Sequence, residues 1–123
     1  MPSLRPKTKK LVQQHLRAWN VDDPDERRRL AEATSTRTVR VVSPYGQLSG
    51  TAAHLASIAE VRKAFPKLRC RGRLVAEHHG WILVSWTTTF GGVRPPLKGL
   101  DVCRLDRRGR ISSIISFSPI SRR

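Results

Sequence analysis

Apolar residues recur at three- and four-residue spacing in two stretches of the chain. Between residues 7 and 20 they form one stripe, which predicts an amphipathic helix. An acidic segment with Pro24 then opens a second predicted helix that runs to about Ala33, because aspartate caps a helix and proline fits its first turn. A third helix is predicted from about Thr51 to Phe65, where Pro66 stops it.

The remaining chain alternates apolar and polar residues, which is the pattern of half-buried strands. A short strand is predicted over 38–43 and a loop over 45–50. Further strands are predicted over 68–79, 81–90, 97–105 and 110–118. Helices followed by an antiparallel run predict a single α+β domain over residues 1–123. We expect its helices to cover a strongly curved, mixed but mostly antiparallel sheet and enclose a concave cavity, with residues 1–6 as a flexible tail.

Asp101 stands on the more apolar face of the predicted strand 97–105. It shares that face with Leu97, Cys103 and Leu105. A carboxyl group on a core face is costly unless it is paired, hydrogen-bonded or protonated. The sequence therefore predicts a pocket at Asp101 without indicating which molecule occupies it.

The composition is that of a folded protein, with 38% hydrophobic residues in 123. No apolar run approaches the length of a membrane span, and no apolar segment follows the basic N-terminus, so we expect a cytoplasmic protein without a membrane partner. Cys70 and Cys103 are predicted to be buried free thiols. No Cys/His cluster has zinc spacing, and His78 and His79 are predicted on opposite strand faces, so we expect no metal and no cofactor.

The formal charge of +15 comes from 24 Lys and Arg against 9 Asp and Glu. A basic surface favours a polyanion partner, whereas dispersed arginines are also typical of a solvated surface. The cations fall in separate short groups, and no recognised nucleic-acid motif organises them. We expect weak, salt-sensitive polyanion binding, and a basic module that binds nucleic acid stays open as an alternative.

Several short motifs occur in a characteristic order between about Leu11 and Phe117. They are the segments 11–20, 23–24, 41–46, 49–50, 99–102 and 105–111. In this order the chain resembles the SnoaL-like, nuclear transport factor 2-like superfamily, which includes ketosteroid isomerases. The resemblance implies a cone-shaped α+β barrel with a small-molecule pocket, commonly in a homodimer that packs sheet to sheet.

Ketosteroid-isomerase chemistry requires a carboxylate base and an oxyanion hole made of a tyrosine and a protonated aspartate. The resemblance places the oxyanion-hole aspartate at Asp101, the tyrosine position at His15 and the base position at Ser43. Serine is not a general base by itself, so steroid isomerisation is not expected. His15 is either a core histidine satisfied by one partner or a pocket residue. In the pocket it could form a hydrogen bond with Asp101, with His15 as acid or base and Asp101 as its orienter or as a hydrogen-bond donor, or the pair could be a buried structural contact.

The other candidate ligand contacts have structural alternatives. Trp19 belongs either to the core or to the pocket, His54 faces either the pocket or solvent, and Trp86 lines either the pocket or the dimer sheet. Tyr45 and Ser43 are expected at the cavity mouth. The lining suits a mostly apolar, cyclic molecule with a carbonyl or hydroxyl group. Acid–base chemistry of the isomerase, cyclase or hydratase type and non-catalytic binding both remain open.

Overall fold

A computed structural model describes residues 4–119, in which three helices pack on a six-stranded sheet. The helices are α1 (Pro6–Arg17), α2 (Pro24–Thr34) and α3 (Thr51–Ala64). Pro24 lies in the first turn of α2, and the Asp23 carboxylate caps that helix by accepting the Asp25 backbone N–H at 3.1 Å. All three predicted helices are confirmed.

The strands are β1 (Ser35–Ser43), β2 (Gly46–Ser49), β3 (Arg69–His78), β4 (Trp81–Thr89), β5 (Leu97–Leu105) and β6 (Ile111–Phe117). Their order in the sheet is β2-β1-β6-β5-β4-β3, and every pair is antiparallel except the parallel pair β1–β6. The sheet is strongly curved but not closed. The predicted α+β class and mixed, mostly antiparallel sheet are therefore confirmed.

The prediction of a loop over residues 45–50 is wrong, because the centre of this segment is strand β2, which pairs antiparallel with β1. Gly46 adopts a φ of +146°, and the Ser43 hydroxyl accepts the Tyr45 backbone N–H at 3.2 Å, which together close the turn. Alternation over four residues is too short a signal to distinguish a strand from a loop rich in turn-forming residues.

Strand β3 contains a β-bulge at Val75, where its pairing with β4 shifts by one residue. Unbroken alternation along the predicted strand 68–79 places Ala76 and His78 on the core face with Cys70 and Leu74, which is wrong, because the bulge turns Glu77 inward instead. Glu77 accepts hydrogen bonds from Arg5 Nε at 2.9 Å and Thr8 Oγ1 at 2.6 Å.

The segment predicted to be a flexible tail, residues 1–6, is described only from residue 4 onward. In that part Leu4 packs against the core, Arg5 is bound to Glu77, and α1 already begins at Pro6. These contacts hold the described residues of the segment against the sheet.

One hydrophobic cluster lies between the helices and the inner face of the sheet. Val12 and Leu16 of α1 meet strand residues such as Val39 and Ile82 there. Both cysteines are buried and free, as expected. None of the helices in residues 4–119 has the length and apolarity that a bilayer crossing requires.

Two buried arginines bind the carbonyl groups at the C-terminal end of α1. Arg27 of α2 donates to Ala18 O at 3.3 Å and Val21 O at 2.7 Å. Arg62 of α3 donates to Trp19 O at 2.8 Å and to Leu68 O at 3.3 Å, and it also binds the Asp22 carboxylate. These bonds satisfy backbone acceptors that a helix end leaves unpaired, and they connect all three helices.

Replacing Arg62 should destabilise the protein substantially. Arg62→Ala leaves the Trp19 carbonyl without its donor and removes one of the two donors to Leu68 O, the other being Arg69, which should lower the free energy of unfolding by about 2 kcal/mol. Arg28→Ala is the matched control, because Arg28 forms an exposed pair with Asp25 and should cost at most about 0.5 kcal/mol. Urea unfolding measures both variants, and equal losses would show that the buried guanidinium has no special role.

Candidate functional site

A cavity of about 420 Å³ opens between α1, α3, the β1–β2 hairpin and the inner face of the sheet. Apolar side chains such as Val41, Leu68 and Ile114 form much of its wall. The structure brings all the sequence-predicted candidates to this one cavity: His15, Trp19, Ser43, Tyr45, His54, Trp86 and Asp101.

Asp101 projects from β5 into the cavity and is 8% exposed. Its Oδ1 accepts hydrogen bonds from Trp86 Nε1 at 2.7 Å and from Ser116 Oγ at 2.6 Å. Trp86 and Ser116 project from the strands on either side, β4 and β6. The expected hydrogen bond between Asp101 and His15 is not formed within residues 4–119, so the orienting role predicted for Asp101 has no structural basis.

The second oxygen of the carboxyl group, Asp101 Oδ2, accepts no hydrogen bond within the described residues. Among the described residues, Thr36 Oγ1 alone is a side-chain polar atom that has no hydrogen-bond partner and is also sealed from solvent. Asp101 Oδ2 has no partner either but is not sealed, so it retains contact with the open space of the cavity that Asp101 lines. Burial raises the pKa of this carboxyl, while the hydrogen bonds from Ser116 and Trp86 limit the rise.

The position of Trp86 depends on Gly99, its cross-strand neighbour on β5. A Cβ atom at Gly99 would lie 2.2 Å from Trp86 Cζ2 and 2.7 Å from the Phe117 carbonyl oxygen. Only glycine therefore lets the indole lie flat over β5 and direct Nε1 to Asp101. Gly99 determines the geometry of the site although it contacts no ligand itself.

His15 of α1 and His54 of α3 face each other across the cavity wall, with ring centroids 6.3 Å apart and nearly parallel planes. Burial lowers the pKa of His15 to about 4. Burial, and then the charge on His15, lower the pKa of His54 to about 4. Both imidazoles are thus neutral near pH 7, and neither forms a hydrogen bond with another described residue.

The remaining candidates lie around this centre. Trp19 meets His54 edge to face at 6.5 Å between ring centroids and also packs against the core. Its side chain therefore contributes both to the core and to the cavity wall. Trp86 lies on the cavity side of the sheet rather than on its outer face. Tyr45 is at the mouth and 72% exposed, and the Ser43 hydroxyl is used by the turn.

Sequence reasoning missed Ser116 and Gly99, which position Asp101. Strand register alone could have indicated Ser116, because it pairs directly with Asp101. Glycine at the centre of a strand was the available signal for Gly99. Cys70 was predicted to be buried but not to line the cavity, where burial raises the pKa of its thiol to about 11.

The described cavity wall contains no Lys or Arg side chain, although the chain has 24 such residues. Within residues 4–119 no three His, Cys, Asp or Glu side chains cluster as a metal site would require.

The prediction that His78 and His79 point apart is wrong, since their Nδ1 atoms lie 3.3 Å apart where the β3–β4 turn reverses the chain.

Comparison with known proteins agrees with the fold. Residues 12–114 match the SnoaL-like domain, so the chain belongs to the SnoaL-like family. None of the curated proteins matches it significantly.

The chain also resembles solved structures. A candidate isomerase of the SnoaL-like family from Agrobacterium tumefaciens str. C58 is 28% identical, with a TM-score of 0.77, covering 90% of this chain and 96% of that one. A candidate ketosteroid isomerase from Kribbella flavida DSM 17836 is 21% identical, with a TM-score of 0.72, covering 95% and 81%. A protein of unknown function with a cystatin-like fold from Methylobium petroleophilum PM1 is 16% identical, with a TM-score of 0.78, covering 99% and 82%.

The buried histidines predict acid sensitivity. The unfolded chain protonates these rings near pH 6.5, whereas the folded rings resist protonation down to about 4. The free energy of unfolding should therefore be highest above about pH 6.5 and should decrease as the pH falls toward 4, by on the order of 3 kcal/mol for each ring. Urea unfolding between these pH values should show a weaker dependence for His15→Gln than for wild type. His78→Gln removes an exposed ring outside the cavity and should retain the wild-type dependence; an unchanged slope in His15→Gln would contradict the assignment.

Proposed function

We propose that this SnoaL-like protein binds an uncharged, mostly apolar small molecule in the cavity, with a carbonyl or hydroxyl oxygen of that molecule at Asp101. The observation that carries the proposal is the bonding of Asp101. Both protein donors bind Oδ1, which leaves Oδ2 directed at the ligand space. Burial raises the pKa of this carboxyl, and in its protonated form Oδ2 would donate a hydrogen bond to the ligand oxygen.

The wall supports an uncharged ligand for a second reason. An anion that enters this cavity loses water and finds no Lys or Arg among the described lining residues. Neutral imidazoles at His15 and His54 offer hydrogen bonds but no compensating charge. Transfer of an unpaired ion into such a site is strongly unfavourable.

The same arrangement supports acid–base chemistry of the isomerase or cyclase type. A hydrogen bond from Asp101 to a ligand carbonyl would stabilise negative charge that develops on that oxygen when a neighbouring C–H proton is removed. His15 is the candidate for taking that proton, since its unprotonated ring lines the same cavity. Candidate isomerases among the structural neighbours are consistent with this chemistry.

Non-catalytic binding is the second candidate function. A general base works best when its pKa lies near the working pH, and the pKa of His15 is lowered to about 4. Position 43 carries a serine whose hydroxyl is bonded to the backbone of the turn. A cavity with a hydrogen-bond donor but only a weak base would hold a ligand without transforming it.

Ligand charge and the Asp101 donor can be tested together. Naphthyl methyl ketone, naphthoate and naphthylmethylammonium share one ring system, and calorimetry should show the ketone binding at least about tenfold more tightly than either ion. Asp101→Asn keeps a donor of the same shape and should retain ketone affinity within about threefold. Asp101→Leu removes the donor and should lose about tenfold. Equal affinity for the ketone and naphthoate would overturn the proposal.

Hydrogen–deuterium exchange distinguishes the enzyme from the binder. If His15 acts as a base, the protein should accelerate exchange of the ketone's methyl protons in deuterium oxide, followed by proton NMR, and His15→Gln should abolish the acceleration. His78→Gln is the control and should exchange like wild type. Tight ketone binding without accelerated exchange would favour the non-catalytic binder.

A further inference from the structure

The outer face of the sheet, turned away from the helices and the cavity, carries only one sign of charge. Its cations lie on β1, β3 and β5, and strand register places them on the face opposite the core. Within residues 4–119 no Asp or Glu lies on this face. The cations are Arg40, Arg69, Arg71, Arg73, Lys98 and Arg104.

The carboxylates of the chain lie elsewhere. Asp22, Asp23, Asp25, Glu26 and Glu32 belong to α2 or its start, and Glu60 belongs to α3. Glu77 and Asp101 face the interior side of the sheet, and Asp106 caps a turn. The described acidic residues are thus absent from the outer face, whereas a uniformly solvated surface would mix both signs.

Arg71, Arg73 and Lys98 form the unpaired part of this basic face. All three are exposed, and none makes a salt bridge or side-chain hydrogen bond with another described residue. Arg71 and Lys98 lie in one cross-strand row through Thr87, and Arg73 is two residues further along β3. Successive arginines on one strand face are about 6.6 Å apart. This spacing suits the repeated charges of an extended polyanion.

Apolar and aromatic side chains lie beside these cations. Phe117 of β6 is 59% exposed and, with Leu100 and Lys98, borders a shallow depression on the outer face. Trp81 is 41% exposed, and the Arg104 guanidinium lies 4.9 Å from its ring centroid. Exposed aromatic rings and unpaired cations are the two components with which proteins bind single strands.

We propose that the outer face of the sheet binds single-stranded nucleic acid. Arg71, Arg73 and Lys98 would contact successive phosphates, and Phe117 would stack on a base. This binding site lies on the opposite side of the sheet from the cavity and is independent of the small-molecule function. A single strand is preferred to a duplex, because its bases are free to stack on the ring.

A second copy of this chain is the competing occupant of the outer face, because the resemblance to the SnoaL-like superfamily implies a homodimer that packs sheet to sheet. The centre of the outer face is a cross-strand row of partly exposed apolar residues, namely Leu83, Val102, Ile115 and Val42. A second copy, however, would bring a second set of these cations to the interface, with no carboxylate from the described residues of either face to compensate them. Like charges placed opposite each other without compensation weaken an interface, so charge complementarity favours the polyanion.

Fluorescence anisotropy with a labelled oligothymidylate of about 16 nucleotides tests the proposal. Measured between about 50 and 200 mM salt, Arg71→Ala/Arg73→Ala should reduce the salt-dependence slope by about 1.4, because each phosphate contact on a single strand contributes about 0.7. Lys10→Ala/Arg29→Ala removes the same charge from exposed helical positions and should leave the slope within about 0.3 of wild type. Equal reductions in both pairs would show non-specific attraction only and overturn the site.

A second variant tests stacking. Phe117→Ala should weaken oligothymidylate binding by at least about fivefold, and Phe117→Tyr should restore it, because a base stacks on either ring. A duplex of the same length should bind more weakly than the single strand. Unchanged affinity in Phe117→Ala, or preference for the duplex, would overturn the stacking mode. Light scattering provides the last check: a dimer that persists at saturating oligonucleotide and is broken by Leu83→Glu would assign the face to self-association instead.

Discussion

The carbonyl groups at the C-terminal end of α1 are the point on which the arrangement of helices and sheet depends. Arg27 and Arg62 reach these carbonyls from α2 and α3. Asn20 then pairs with β3, donating to Cys70 O at 2.8 Å and accepting the Cys70 N–H at 2.6 Å. A few polar side chains thus fix α1 against three other elements, and α1 carries His15 and Trp19 into the cavity wall.

The two faces of the sheet create two different electrostatic environments a strand's thickness apart. The inner face and the helices that cover it surround a space whose ionisable groups favour their neutral forms, because burial disfavours charge. The outer face keeps its arginines in water, where their charge costs little. Strand alternation is sufficient to separate the environments, since neighbouring residues such as Leu100 and Asp101 point to opposite sides.

Much of the fold could be predicted from the sequence, because it follows from periodicity, whereas the resemblance to the SnoaL-like superfamily supplied the cavity positions of His15 and Ser43. The helices, the long strands and the inward side of Asp101 all come from that local signal. The bonding within the site could not, because it depends on which strands are neighbours. Asp101 binds Trp86 and Ser116 since β4 and β6 flank β5, whereas His15 lies on a helix. The bulge at Val75 escaped prediction for a related reason, since a one-residue irregularity leaves no mark on the apolar pattern.

The bulge at Val75 divides β3 into two parts whose side chains alternate between the faces of the sheet in opposite phase. Residues before Val75 face the cavity and core according to one alternation, and residues after it follow the opposite one. The second part holds the start of α1 through Glu77, while the first part supplies Cys70 to the cavity wall. One strand therefore serves two tasks with side chains of opposite phase: it holds the start of α1 on one side of the bulge and forms part of the cavity wall on the other.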